Sequence, residues 1–104
     1  MGMGIGINNQ KPDAGPNRRR QEEIACGIWF TSRGEILPQK LKFQNQEGEI
    51  QCIDNIRVIT KEKKYYCGIS TFVYFCSTRL QDREYLFYLY YYPEQCKWTL
   101  SWNG

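Results

Sequence analysis

The stretch Tyr85-Leu86-Phe87-Tyr88-Leu89-Tyr90-Tyr91-Tyr92 holds only apolar and aromatic residues, carries no charge and stops at Pro93. It is far shorter than the roughly 18 apolar residues of a membrane helix, and its aromatic content suits a strand. Successive side chains of a strand point to opposite faces, so Tyr85, Phe87, Leu89 and Tyr91 share one face while Leu86, Tyr88, Tyr90 and Tyr92 share the other. Phe87 and Leu89 have no polar tip and are expected to point inward. The tyrosine-rich parity is expected to point outward, where phenol hydroxyls reach water. Tyr88, Tyr90 and Tyr92 thereby become a candidate contact patch. A flat uncharged strand invites aggregation, so the alternative is that an N-terminal arm or a second copy covers that face.

The same period of two extends on both sides of this segment. Downstream, a Pro-Glu-Gln-Cys turn leads to Trp98, Leu100 and Trp102 on one face of a last strand. Upstream, Phe72, Tyr74, Cys76 and Leu80 alternate with polar residues and end at a Gln81-Asp82 turn. Ile50, Cys52, Ile56 and Val58 share one parity of an earlier strand that Asp54-Asn55 interrupts as a bulge. Leu37, Leu41 and Phe43 alternate after Pro38, between an Arg33-Gly34 turn and a Gln46-Glu47-Gly48 hairpin turn. Lys61 to Ser70 reads as a polar loop rich in Lys and Tyr. This gives an all-β fold: a five-stranded antiparallel meander curled into a small SH3-like barrel over residues 24–104.

Residues 1–23 differ in composition. Gly2, Gly4, Gly6, Pro12, Gly15 and Pro16 precede Arg18-Arg19-Arg20, with little apolar surface to offset the entropy of ordering. A flexible arm is expected there, with marginal helical turns over Asn17 to Ala25. The glycines do not form a dinucleotide fingerprint, because no strand precedes them.

With 104 residues the chain has room for one domain. Its 14 basic and 11 acidic residues leave a net charge of +3, below that of a dedicated nucleic-acid binder. A soluble, cytoplasmic chain is the expectation, since neither a membrane span nor a secretory leader is visible. Histidine is absent, which removes the commonest general base and the usual activator of Ser and Cys nucleophiles. The five cysteines, Cys26, Cys52, Cys67, Cys76 and Cys96, match no metal or disulfide spacing, and no cofactor is expected. Cys52 and Cys76 read as small buried hydrophobes. Asp54, inside an apolar stretch, is the one candidate acid or base, with backbone capping at a bulge as the simpler role. The reading is a non-enzymatic one.

Lys61, Lys63, Lys64, Tyr65 and Tyr66 combine positive charge with rings, as phosphate contact and base stacking require. Arg18, Arg19 and Arg20 add charge on the arm. The leading expectation is a binding module whose tyrosine face takes a protein partner or a second copy. Single-stranded nucleic acid, held by the Lys/Tyr loop and the arginine arm, is the alternative.

The pieces Trp29-Phe30, Gly34, Pro38, Leu41, Phe43, Ile53-Asp54-Asn55-Ile56-Arg57-Val58, Lys61 to Gly68, Tyr85-Leu86-Phe87-Tyr88 and Lys97-Trp98 resemble a group of small uncharacterised β-rich proteins of Gram-positive Firmicutes. That resemblance implies a bacterial, cytoplasmic, β-rich domain and carries no catalytic residue. The extra Tyr90, Tyr91 and Tyr92 depart from its pattern.

Overall fold

The alternating segments pair into one antiparallel sheet of seven strands, seen in a computed structural model that describes residues 20–103. The strands are β1 (Glu22–Phe30), β2 (Ile36–Gln44), β3 (Ile50–Ile53), β4 (Arg57–Tyr66), β5 (Ile69–Leu80), β6 (Arg83–Tyr92) and β7 (Lys97–Trp102). Their order is β3-β2-β1-β7-β6-β5-β4. Two meanders, β1-β2-β3 and β4-β5-β6-β7, join where the start of β1 pairs with β7 through Glu22–Leu100 and Ile24–Trp98. Beyond Ile24, β1 continues along β2, with a register shift between Gly27 and Ile28. The sheet edges are β3 and β4, so the sheet does not close.

The core lies between the two meanders. Leu41 and Ile53 from one side meet Tyr74, Cys76, Phe87, Leu89, Trp98 and Leu100 from the other. Phe87 and Leu89 face inward as expected and are fully buried. A polar link ties the halves together: the Tyr74 hydroxyl donates to the Ile36 carbonyl at 2.7 Å. Burial, then Cys26, Cys76, Tyr91 and Glu35, push the Tyr74 hydroxyl well above its ordinary pKa, so it keeps the proton it donates.

Turn chemistry sets the register. Thr31 and Asn45 open two closely similar hairpin turns, in which the backbone N–H of Gly34 and of Gly48 donates back to their carbonyls. The Thr31 hydroxyl accepts from the backbone N–H of Arg33 and Glu35, and the Asn45 side-chain carbonyl accepts from Glu47 and Glu49. Gly34 and Gly48 adopt positive φ of 82° and 83°, which glycine tolerates without steric cost. Cys67-Gly68 and Gln81-Asp82 are two-residue turns with positive φ at both positions, the conformation whose twist matches paired strands.

Several expectations are corrected. The domain is an open seven-stranded sheet and not a five-stranded SH3-like barrel. Lys61 to Ser70 is no loop: it is the end of β4, a tight turn and the start of β5. Glu22 to Ala25 is strand and not helical turn, because it pairs with β7 and β2. Asp54, Asn55 and Ile56 form a corner that separates β3 from β4, so the interruption divides one expected strand into two. Ile50 and Cys52 therefore point away from the core, and both are exposed. Ile53, fully buried, takes the inward position. The part of the arm at residues 1–19, with Arg18 and Arg19, lies outside the described residues.

Candidate functional site

The β4–β5 hairpin sorts the Lys/Tyr cluster by parity. Lys61 pairs with Tyr74, Lys63 with Phe72 and Tyr65 with Ser70, which puts Lys61, Lys63 and Tyr65 on the core-facing side. Lys64 and Tyr66 point outward, where Lys64 meets Glu62 at 3.6 Å and the Tyr66 ring lies 6.4 Å from that of Tyr90.

The core-facing cluster lies at the margin of the buried core, to which its Tyr74 and Trp98 belong. Phe72 stacks on Tyr91 at 6.3 Å, Tyr91 on Trp98 at 4.8 Å, and Trp98 lies 5.5 Å from Tyr74. Cross-strand pairing imposes this row, since Phe72 is opposite Tyr91 and Tyr91 opposite Trp98. Over it stand two ammonium groups. Lys61 Nζ is 5.5 Å from the Phe72 centroid and 5.7 Å from that of Tyr74, while Lys63 Nζ is 5.8 Å from Phe72 and 5.9 Å from Tyr65. These distances are within reach of a cation–π attraction. Both lysines are exposed, Phe72 and Tyr91 are half-buried, and Trp98 is buried. Neither lysine belongs to an ion pair among the described residues. Glu35, from the other meander, is close enough to act on Tyr74. The arrangement offers ring surface, on Phe72 and Tyr91, for stacking and exposed positive charge beside it.

The outward tyrosines are placed differently. Tyr88 and Tyr92 are half-buried, and Tyr90 is only 1% exposed. Tyr88 packs against Phe75 at 4.9 Å and stacks on Tyr90 at 6.3 Å. The Tyr92 hydroxyl and the Thr99 hydroxyl both donate to the Gln21 side-chain carbonyl, at 2.6 and 2.5 Å. Gln21 thus anchors the entry to β1 on this outer face. Arg20 is exposed and borders a cleft of about 440 Å³ with Glu22, Gln44 and Trp102, towards the other end of β7 from the lysines.

Sequence reasoning found Lys61 and Lys63 but missed Phe72, Tyr91 and Trp98 as their companions. The available signal was Cys67-Gly68, a two-residue turn whose recognition pairs Lys63 with Phe72.

Asp54 is exposed at its corner. Its neighbour Asn55 does the capping, donating to the Arg79 carbonyl at 3.4 Å and accepting from the Thr78 hydroxyl at 2.7 Å. Among the described residues no three His, Cys, Asp or Glu side chains gather as metal ligands, and no helix is long and apolar enough to cross a membrane.

The cysteines divide by burial. Burial pushes the Cys26 thiol up to about 12 and the Cys76 thiol likewise to about 12, with Cys26 adding to the latter. The thiolate is the reactive form, so both are inert near neutral pH, whereas Cys52, Cys67 and Cys96 are exposed. Brief iodoacetamide treatment of the folded protein at about pH 8 is expected to modify those three, with Cys26 and Cys76 following only after denaturation. Mass mapping reads this directly, and rapid modification of Cys76 in the folded state would contradict the core placement.

No protein family, characterised protein or solved structure matches this chain.

Proposed function

We propose that the protein is a non-enzymatic binding module that holds single-stranded nucleic acid on its core-facing aromatic and lysine cluster. The observation that supports this is the pair of ammonium groups, Lys61 and Lys63, in no ion pair among the described residues and standing over the Phe72 ring, which with Tyr91 forms the half-buried end of a row whose other members, Trp98 and Tyr74, are buried behind them. Bases stack on rings irrespective of sequence, and lysines beside them neutralise phosphates while releasing counterions. Upon binding, the two ammonium groups leave the ring faces for the flanking phosphates and the bases take their place.

The geometry favours this reading over a protein contact on the tyrosine strand. A hot spot needs an accessible aromatic at its centre, and Tyr90, central in that patch, has 1% of its surface exposed.

Fluorescence anisotropy of labelled oligonucleotides of about 12 nucleotides, within the usual single-strand site sizes, tests the proposal. Binding is expected at about 50 mM salt and is expected to weaken several-fold by about 200 mM, since each phosphate contact on a single strand contributes a slope of about −0.7. No binding at the lower salt would overturn it. A stable dimer in sedimentation together with that negative result would return the account to self-association.

A further inference from the structure

Phe30 is the last residue of β1 and is 65% exposed, although burial of a phenyl ring is favourable. Its direction follows from its neighbours. Ile28, on the same parity, packs against the core, and the residue opposite Phe30 is Ile36, which also packs there. Phe30 therefore projects on the core-facing side. The Ile36 carbonyl receives the Tyr74 hydroxyl, which places this end of the β1–β2 wall beside the row of rings on the β4–β7 wall. Trp29 is equally exposed at 65% but points to the opposite face, paired with Leu37.

The mount of Phe30 is firm. Thr31 closes its turn by donating its N–H to the Glu35 carbonyl at 2.9 Å, while its hydroxyl accepts from the N–H groups of Arg33 and Glu35. One accessible ring on the β1–β2 wall and two half-buried rings, Phe72 and Tyr91, on the other wall thus face the same side of the fold, linked through the Tyr74–Ile36 hydrogen bond.

We propose that Phe30 is the second side of the binding site, so that an unpaired base enters between Phe30 and the Phe72–Tyr91 pair and is stacked on both faces. This rests on the nucleic-acid reading above and adds a selectivity to it. A base within a duplex already has both faces covered by its neighbours, so the site selects single strands over duplexes.

The test compares wild type, Phe30→Ala, Phe30→Tyr and Trp29→Ala by anisotropy with a labelled oligothymidylate and with a duplex of the same length. Phe30→Ala is expected to weaken single-strand binding roughly tenfold, the scale of one lost stacking contact, while leaving the salt slope unchanged. It is also expected to narrow the preference over duplex. Phe30→Tyr keeps the ring and is expected to bind as wild type does, and Trp29→Ala to stay within about twofold of it, being on the other face. Because Phe30 and Trp29 are exposed, folding of all four is expected and is checked by circular dichroism. Equal loss in Phe30→Ala and Trp29→Ala, or wild-type affinity in Phe30→Ala, would overturn the role of Phe30 while leaving the lysine site standing. Failure of the wild-type protein to bind single strands at low salt would remove both.

Discussion

Phe87→Ala is expected to lower the unfolding free energy by about 3–5 kcal/mol, the usual cost of deleting a fully buried aromatic ring. Phe87 is 0% exposed and lies where the two meanders meet, opposite Cys76 on β5 and Trp102 on β7. Its ring centroid is 5.6 Å from that of Trp102, which in turn sits edge-on to Phe43 at 5.4 Å. Truncation therefore removes a ring contact that ties β6 to β7 and, through Trp102, to Phe43 of β2, and the fixed strand positions around it limit collapse. Domains of this size are stable by about 5–15 kcal/mol, so the variant should unfold at much lower urea. Leu86→Ala, one residue away on the other face and half-buried, is expected to cost clearly less. Equal midpoints for the two variants would mean that Phe87 does not face the core.

The second large effect concerns binding. Replacing Lys61 and Lys63 together by Gln is expected to lower single-strand affinity on the order of tenfold at low salt and to reduce the slope of log affinity against log salt by about 1.4, two single-strand phosphate contacts. Gln keeps the first two methylenes of the stem and both positions are exposed, so the fold is not expected to suffer. Lys64→Gln is the control: Lys64 points outward beside Glu62, and its removal should leave the slope nearly unchanged. Identical slopes for the double variant and wild type would show that these lysines do not touch phosphate.

The contrast between β6 and β4 shows how far the sequence could be read. In β6 the choice between faces was decided by Phe87 and Leu89, whose lack of polar atoms leaves them nowhere but inside, and the structure agrees. In β4 the same alternation is present but its inward members are Lys61 and Lys63. Lysine stems cover aromatic surface while the heads stay in water, so a half-buried strand looks like a polar loop. A different cause operates at β3. Ile50 and Cys52 alternate as a buried face would, yet in β3 it is Ile53 that goes inward, while Ile56 and Val58 beyond the corner pack against the core as expected, so the parity is off by one in β3 alone. The expected strand count also lacks β1, although Ala25 to Phe30 pair with β2 across the Gly34 turn; its start is the non-local part, pairing with β7 more than seventy residues away.

The placement of Tyr90 was equally non-local. Its parity is readable, but its burial depends on what surrounds the outer face, including Tyr66 of β4, whose composition is that of a polar loop. Once β4 is a strand, the lysines of one expected cluster divide between two faces, and only the core-facing pair meets a row of rings.

The most direct test is photocrosslinking of a single-stranded oligonucleotide carrying 4-thiouridine or 5-bromouridine, followed by mass mapping of the adducts. The account predicts crosslinks on the core-facing row, at Phe72 or Tyr91, with Phe30 as the third site. Crosslinks confined to Tyr88 and Tyr92 on the outer face would contradict it.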